Sequence, residues 1–574
     1  MRSLQTEMIP PAGSGRREAV GRDMLVLAGF ALALWLPTCG LWDLWTPDEG
    51  RYAQVAREVL RNDHWFALTL FGQPYNQKPP LPFLLFAAMI KASGGAINTW
   101  LLRLPSIFMG VVALLCTYRI GQKLFGRDCG FAAGLMLLTA PTFLENASAV
   151  ELNVMYTGWC MVAMAAWLTR PPDKKLSWGR WLVFWLGIIC AFFTKGPLVF
   201  LVWGAVAIYE ARAARSWKVF LQVRPIPGLL ILGGLLWRWM YAEKVAFGTD
   251  YARDTVHGGN PMAKILAGQH AGWPWYYVEH MLLEMYFPWI LLFVPALVVL
   301  WRGRKQLSTD TLRIVWWFLG PGIFLSIMIG KRQSYFLPLM PAVAILTAQF
   351  ASTSSFLLDK RERILRGLMV VAAIAAIGLL GGAAIGGMAP DWAKRAELQV
   401  GVQALSVLAA AGAGLLGLVL WMNLKKQGEL NPIYVTAVMV LALSVAYLGA
   451  VRPMRNHLHS SREFGEWLGN VLRTEFGTTE FGAVSSAARP EYFVYGDVKM
   501  RDMRRQDVLS GETTIPAVLV TRPGGKVSER SDDWAMVTEA LKARGYELLR
   551  DSDVSEDELA VFGDVTRRRR HVAH

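Results

Sequence analysis

Two adjacent carboxylates, Asp48 and Glu49, stand in the stretch Leu44-Trp-Thr-Pro-Asp-Glu-Gly-Arg-Tyr-Ala53, directly after the first long apolar run of a 574-residue chain. Arg51 and Tyr52 follow at once, and Tyr75 and Lys78 lie in the same segment between apolar runs. A carboxylate within hydrogen-bond reach of a hydroxyl or phosphate nucleophile can guide or remove its proton, and fixed positive charge stabilises a phosphate leaving group. One loop therefore offers a base, a cationic clamp and two ring donors. A second reading stands beside it. Residues 50 to 62 have the spacing of an amphipathic surface helix, and acids at its start complement the helix dipole without any chemistry.

Further candidates lie downstream. Glu145, Glu151 and Asn153 flank a short turn and could set a second carboxylate opposite the first, or serve only as solvated turn acids. Lys195 in Thr194-Lys-Gly-Pro197 sits between two apolar runs with almost no turn, and Lys331 and Arg332 adjoin Tyr335 at the start of another run. Lys78, before two prolines, reads equally as a snorkelling interfacial lysine or as a phosphate ligand. His270, in Gln269-His-Ala-Gly-Trp-Pro-Trp-Tyr276, sits in an aromatic cluster that suits a membrane-interface belt or a sugar-stacking platform. His257, His270 and His280 are too far apart to indicate a metal site, and no HxxxH or CxxC pattern occurs. No glycine-rich phosphate loop is present, so neither a nucleotide-sugar donor nor ATP is indicated.

The elements that must position these residues are membrane helices. The chain is 54% hydrophobic and 18% charged, with repeated apolar runs of about 16 to 22 residues, which is a polytopic membrane composition. The formal charge of +15 comes in short basic clusters between these runs, where positive-inside sorting explains it without nucleic acid. Five cysteines fall in or beside apolar segments and imply neither a disulfide framework nor a zinc knuckle.

Fourteen apolar runs are candidates, and the one at 79–93 decides the topology. If it crosses, the basic clusters around Arg119, Lys174, Arg212 and the 359–366 segment all land outside. If it does not, every one is cytoplasmic. It is also short and opens with Lys78-Pro-Pro-Leu-Pro82, which suits an interfacial helix. Thirteen spans are therefore expected, at 24–41, 103–121, 129–145, 154–169, 180–194, 196–211, 227–246, 285–302, 313–330, 334–352, 366–387, 402–422 and 432–452. Residues 1–23 form a cytoplasmic tail, 24–452 the membrane domain, and 42–102 and 247–288 its two large outer loops. Lys78, Lys195 and the Lys331-Arg332 pair then become basic exceptions on the outer face, the arrangement that holds an anion.

From 453 to 574 the chain is polar, with helical patterns at 461–474 and 533–544 and strand-like stretches at 491–495 and 517–521. A small α/β domain is expected there, placed outside by the odd number of spans.

Taken together, Trp45-Thr-Pro-Asp-Glu-Gly-Arg-Tyr52, Tyr75-Asn-Gln-Lys-Pro79, Thr194-Lys-Gly-Pro197, Gln269-His-Ala-Gly-Trp-Pro-Trp-Tyr276 and Gly330-Lys-Arg-Gln-Ser-Tyr-Phe-Leu-Pro338 resemble the GT-C glycosyltransferases of the protein O-mannosyltransferase superfamily, which use lipid-linked sugars. Within it the chain is similar to the 4-amino-4-deoxy-L-arabinose transferases of lipid A modification. The resemblance runs in order from about 44 to 341. It implies an undecaprenyl-phosphate-linked aminoarabinose donor, a lipid A phosphate acceptor, a site on the periplasmic face of the bacterial inner membrane, contact with membrane lipids, and resistance to polymyxin and other cationic peptides. It also implies Asp48 as the catalytic carboxylate, with Arg51, Tyr52, Tyr75, Lys78, Lys195, His270, Lys331, Arg332 and Tyr335 on donor phosphate or sugar. The family pattern has Glu before the lysine where this chain has Gln77, and Asp in the short second outer loop at 145–153 where it has Asn153. Glu151, two residues earlier, is the candidate for that second acid. No cofactor is demanded, and a divalent cation shared by the two loops is left open. Two other functions are left standing: a GT-C transferase with a protein or cell-wall polymer acceptor, and a lipid transporter or flippase. The flippase predicts charges deep in the spans and an inverted repeat; Lys91 and Arg238 are the nearest approach to the first.

Overall fold

The computed structural model describes residues 14–45, 48–62, 65–171, 174–249 and 272–353, scattered positions from 437 to 456, and 460–572 apart from 485–492, 504, 511–514, 522–530 and 555–556. The runs at 366–387 and 402–422 lie outside the described residues, as do His257 and His270.

The apolar runs form helices: α1 (Ser14–Trp35), α4 (Thr99–Phe125), α5 (Arg127–Leu138), α6 (Pro141–Ala147), α7 (Leu152–Leu168), α8 (Trp178–Lys195), α9 (Leu198–Ala213), α10 (Pro225–Phe247), α11 (Ile290–Arg302), α12 (Thr309–Ile327) and α13 (Met340–Thr353). Between α1 and α4 lie α2 (Glu49–Asn62) and α3 (Leu81–Ala92). At 12 residues α3 is about 18 Å long, short of a hydrocarbon core about 30 Å thick. Among the described residues, two helical segments, Thr99–Phe125 and Gln333–Ser352, are long and apolar enough to cross a membrane, or three if Trp217–Val223 and Pro225–Phe247, bent by 59°, count as one span. The remaining described helices are shorter or less apolar than that. The run at 129–145 is divided between α5 and α6, where Pro141 removes a backbone donor and restarts the helix. Large apolar side chains such as Leu182, Leu230, Trp237, Val245, Ile323 and Ile327 point outward, as lipid-facing positions do.

Helices α4, α7 and α8 pack backbone to backbone. A Cβ on Gly158 of α7 would stand 2.6 Å from the Met109 carbonyl oxygen of α4, and one on Gly187 of α8 would stand 2.8 Å from that of Trp159 on α7. Only glycine permits such contact, the usual device for close helix association in membranes. Three helix ends are thereby fixed together: the first turns of α4, the start of α7 and the end of α8.

In the loop after α2, β1 (Thr69–Leu70) and β2 (Gln73–Pro74) form a hairpin whose central residues Phe71 and Gly72 both have positive φ, at 55° and 72°. This is the backbone of a type I′ turn. Glu58 of α2 caps it, accepting hydrogen bonds from the Phe71 and Gly72 amides and the Thr69 hydroxyl at 2.6, 3.1 and 2.6 Å.

Residues 462–572 contain a five-stranded mixed sheet. Strands β3 (Glu480–Val484), β4 (Lys499–Met503), β5 (Ala517–Thr521), β6 (Tyr546–Val554) and β7 (Asp557–Asp564) lie in the order β4-β3-β5-β7-β6, with β3 parallel to β4 and β5 and the remaining pairs antiparallel. Alternation along β5 sends Ala517 and Leu519 to a face covered by α14 (Arg462–Phe476), and Val518 and Val520 to a face covered by α15 (Arg505–Ser510) and α16 (Ser531–Ala543). A last helix, α17 (Val565–Val572), packs on α14. The stretch read as a strand at 491–495 is not one where it is described. Phe493 to Asp497 turn, with Asp497 at φ 52° and Gly496 against Gly469, and the strand begins at Lys499.

Candidate active site

Arg103, fully buried in α4, directs its Nε and Nη2 at Glu49, each 3.0 Å from a carboxylate oxygen. Its other donors reach the carbonyls of Cys39, Trp42 and Asp43 at 2.6, 2.9 and 2.8 Å. Glu49 also accepts from the backbone amides of Trp45 and Val150, at 2.9 and 2.7 Å. Burial alone would raise the Glu49 carboxyl, but the Arg103 charge and these hydrogen bonds outweigh it and hold the group below its usual range. Of the two adjacent acids, Glu49 is consumed in tying the first loop to α4 and to the second loop. Asp48 faces elsewhere.

Asp48 is ion-paired with Arg51, one turn along, and lies 3.4 Å from Arg332. Burial works against the Arg51 charge, but Asp48 more than compensates and keeps its pKa raised. Tyr52 and Tyr75 stand edge-on to the same Phe83 ring of α3, at 5.7 and 5.6 Å. Both phenols are pushed up, foremost by burial; Glu151 and Asp48 add to this at Tyr52, and Asp48 at Tyr75. The buried Tyr75 hydroxyl has no hydrogen-bond partner among the described residues. Burial lowers Lys78, whose electrostatic neighbours are Asp48, Arg332, Glu151 and Arg51. Lys78 thus belongs to the same cluster, and among the described residues no ion pair occupies it.

The opposite wall comes from α7 and α8. Glu151 is the N-cap of α7 and accepts the Asn153 side-chain amide at 2.7 Å, while the Asn153 side-chain oxygen accepts from Lys195, the last residue of α8. Lys195 Nζ also stands 4.3 Å from the Tyr335 ring centroid, a cation–π contact. Burial, then the negative charge of Asp48, raises Glu151; burial, then the positive charge of Lys78, lowers Lys195. Asp48 and Lys78 of the first loop thus act electrostatically on Glu151 and Lys195 of the opposite wall, and the two walls face one site.

The fold therefore gathers Asp48, Arg51, Tyr52, Tyr75, Lys78, Glu151, Lys195, Arg332 and Tyr335. It does not bring in Lys331, whose ammonium donates to the carbonyls of Gly272, at 3.0 Å, and Met328. Its neighbour Arg332 takes the site-facing position. Glu145 bonds Tyr447 at 2.8 Å instead of entering the cluster. His270 lies outside the described residues. Among the described residues no group of three or more His, Cys, Asp or Glu side chains could hold a metal ion. The chemistry of the cluster agrees: its acids are Asp48 and Glu151, with an amide at Asn153 and cations around them. Arg103 is absent from the sequence-based candidates, although an arginine inside an apolar run signals that it serves a buried partner.

The chain is similar to known proteins in sequence and in fold. Residues 22–247 fit the model of the dolichyl-phosphate-mannose-protein mannosyltransferase family. The structure of ArnT from Cupriavidus metallidurans bound to undecaprenyl phosphate superposes with a TM-score of 0.75 at 18% identity, covering 95% of this chain and 98% of that one. The fold is the GT-C fold. Among curated relatives, an undecaprenyl phosphate-α-4-amino-4-deoxy-L-arabinose arabinosyl transferase from Pectobacterium carotovorum is 27% identical over 395 residues, 62% of this chain. The aligned stretch spans only 65% of that relative's length. The enzyme of the same name from Aeromonas salmonicida is 26% identical over 442 residues, 73% of this chain and 75% of the relative. GT-C architecture thus accounts for the helix ends that surround Asp48.

Proposed function

We propose that the protein is a glycosyltransferase of the inner membrane that moves 4-amino-4-deoxy-L-arabinose from undecaprenyl phosphate to a lipid A phosphate on the periplasmic side, lowering the negative charge that polymyxin and other cationic peptides bind. The observation that carries this reading is the convergence of four cations, Arg51, Lys78, Lys195 and Arg332, on a two-carboxylate site in a fold shared with ArnT. The donor lipid and the sugar are those in the names of the relatives, and the lipid A acceptor rests on the motif resemblance.

The reaction suits this charge distribution. An oxygen of the acceptor phosphate attacks the anomeric carbon, the bond from that carbon to the donor phosphate oxygen breaks, and the configuration inverts. A phosphomonoester becomes a diester on one lipid while the reverse happens on the other, so net charge is unchanged. Lys78, Lys195 and Arg332 stabilise the charge that develops on the departing phosphate. The acceptor is already anionic at neutral pH and needs little base catalysis. Asp48, held between Arg51 and Arg332, is suited to orienting the reacting groups or to meeting the sugar ammonium. The buried Tyr75 hydroxyl is available to the sugar or the phosphate.

The decisive experiment is transfer by purified protein from undecaprenyl-phosphate-linked aminoarabinose to lipid A in proteoliposomes, read by mass spectrometry. Modified lipid A with wild-type protein and none with Asp48→Asn supports the proposal. Sugar moved across the bilayer without transfer, or transfer only to a peptide or polymer acceptor, rejects it.

A further inference from the structure

The first loop is gripped from the far end of the chain. Asn456 accepts hydrogen bonds on its side-chain oxygen from the Asp43 amide, at 2.8 Å, and the Trp45 indole, at 3.1 Å, and returns one from its amide nitrogen to the Asp43 carboxylate at 2.8 Å. The same carboxylate takes the Ser460 hydroxyl at 2.7 Å and Arg462 at 3.3 Å. The Leu44 amide donates 2.7 Å to the Tyr495 hydroxyl. The second loop is held by the same stretch: Arg452 donates to the Ser148 hydroxyl at 3.1 Å while its guanidinium lies 4.8 and 5.2 Å from the Trp42 and Trp45 rings.

We propose that Asn456 is a positioning residue which, with Arg452, straps the first and second loops to a common anchor and so fixes where Asp48 stands relative to Glu151. The proposal rests on the reading of these acids as the reaction site. Three features carry it. Asn456 satisfies two donors and one acceptor at Asp43 and Trp45, the latter three residues before Asp48, so losing it loosens that loop on the side where only Ser460, Arg462 and Tyr495 of this group remain, while Arg103 still holds the other. Its partners lie more than 400 residues away in sequence, 413 in the case of Asp43, so no local structure substitutes for it. The sheet domain beyond has its own two-sided core, which does not depend on these bonds.

The test uses the full chain in lipid nanodiscs, comparing wild type with Asn456→Ala and with the milder Tyr495→Phe. Amide exchange is followed in peptides covering 43–53 and in the sheet strands, and transfer kinetics are measured in parallel. The expected result for Asn456→Ala is faster exchange at 43–53 with the strands still protected, and a kcat about 10- to 100-fold lower with donor KM within about two-fold. Tyr495→Phe should give the same pattern at smaller amplitude. Unchanged exchange at 43–53 overturns the proposal whether or not transfer is detected. So does a kcat equal to that of an active wild type, or loss of strand protection in both variants, which marks a merely structural role. Failure of the wild type to transfer counts against the function proposed above, while the exchange result still decides the strap.

Discussion

The ammonium of Lys195 donates to the side-chain oxygen of Asn153, joining the end of α8 to the start of α7 through a neutral amide. Burial, then the positive charge of Lys78, outweighs the opposing pull of Glu151 and Asp48, so the Lys195 pKa is depressed. A phosphate-binding role needs the protonated form, so activity should fall as pH rises, and earlier than an exposed lysine with a pKa near ~10.4 would dictate. Asn153→Asp places a carboxylate in contact with the ammonium. The alkaline limb of the kcat/KM profile should then move up by roughly one pH unit or more. An unshifted limb in an active variant would remove Lys195 from the titrating role.

Tyr335 touches Lys195 through its ring. Tyr335→Phe keeps that face and should leave donor KM within about two-fold, whereas Tyr335→Leu should raise it by about two- to thirty-fold, the equivalent of ~0.5–2 kcal/mol of cation–π interaction. Equal effects of the two substitutions would instead assign the role to the hydroxyl.

Lys331 and Arg332 are neighbours with different work. Lys331→Met removes a donor to two carbonyls and should lower the thermal midpoint while leaving the kcat of the folded fraction nearly unchanged. Arg332→Ala should leave the midpoint nearly unchanged and reduce kcat/KM by about ten-fold or more, as expected for loss of a charge on a leaving phosphate. Thermal unfolding and steady-state kinetics on the same preparations separate the two.

Glu49→Gln strips the charge from a buried pair and leaves the Arg103 guanidinium without it. The expected cost is about 3–5 kcal/mol, seen as a large drop in melting temperature or in folded yield. By contrast, Asp48→Asn should melt within a few degrees of wild type while transfer is lost. Reversal of these two outcomes would exchange the assignments of the adjacent acids.

Much of this site could be read in the sequence because its residues sit in short motifs at helix ends. Asp48, Arg51, Tyr52 and Lys78 lie within one loop, and Lys195 and Arg332 broke the expected distribution of positive charge. The separate fates of Asp48 and Glu49 could not be read there. Both follow Pro47, and only the long-range partner Arg103 decides which one is consumed. Lys331 was misplaced for a similar reason: adjacent residues on irregular backbone point in different directions, and the carbonyls of Met328 and Gly272 draw its ammonium away from Arg332. The strand expected at 491–495 had a suitable composition, but the close approach of Gly469 and Gly496 turns the chain where it is described. Asn456 offered no signal, since its partners are set by tertiary contact alone.

The glycine contacts that lock α4, α7 and α8 together have an evolutionary consequence. Arg103, Glu151 and Lys195 all project from the same end of a frame whose spacing is set by Gly158 and Gly187, well down the helices. Side chains at that end can be exchanged without moving the frame. Asn153, which meets Glu151 and Lys195 at that rim, is one such position: its charge can change while the architecture beneath it stays. New donors or acceptors are therefore open to this scaffold through a few rim substitutions, whereas replacing either glycine would change the distance between the helices and, with it, every separation in the site at once.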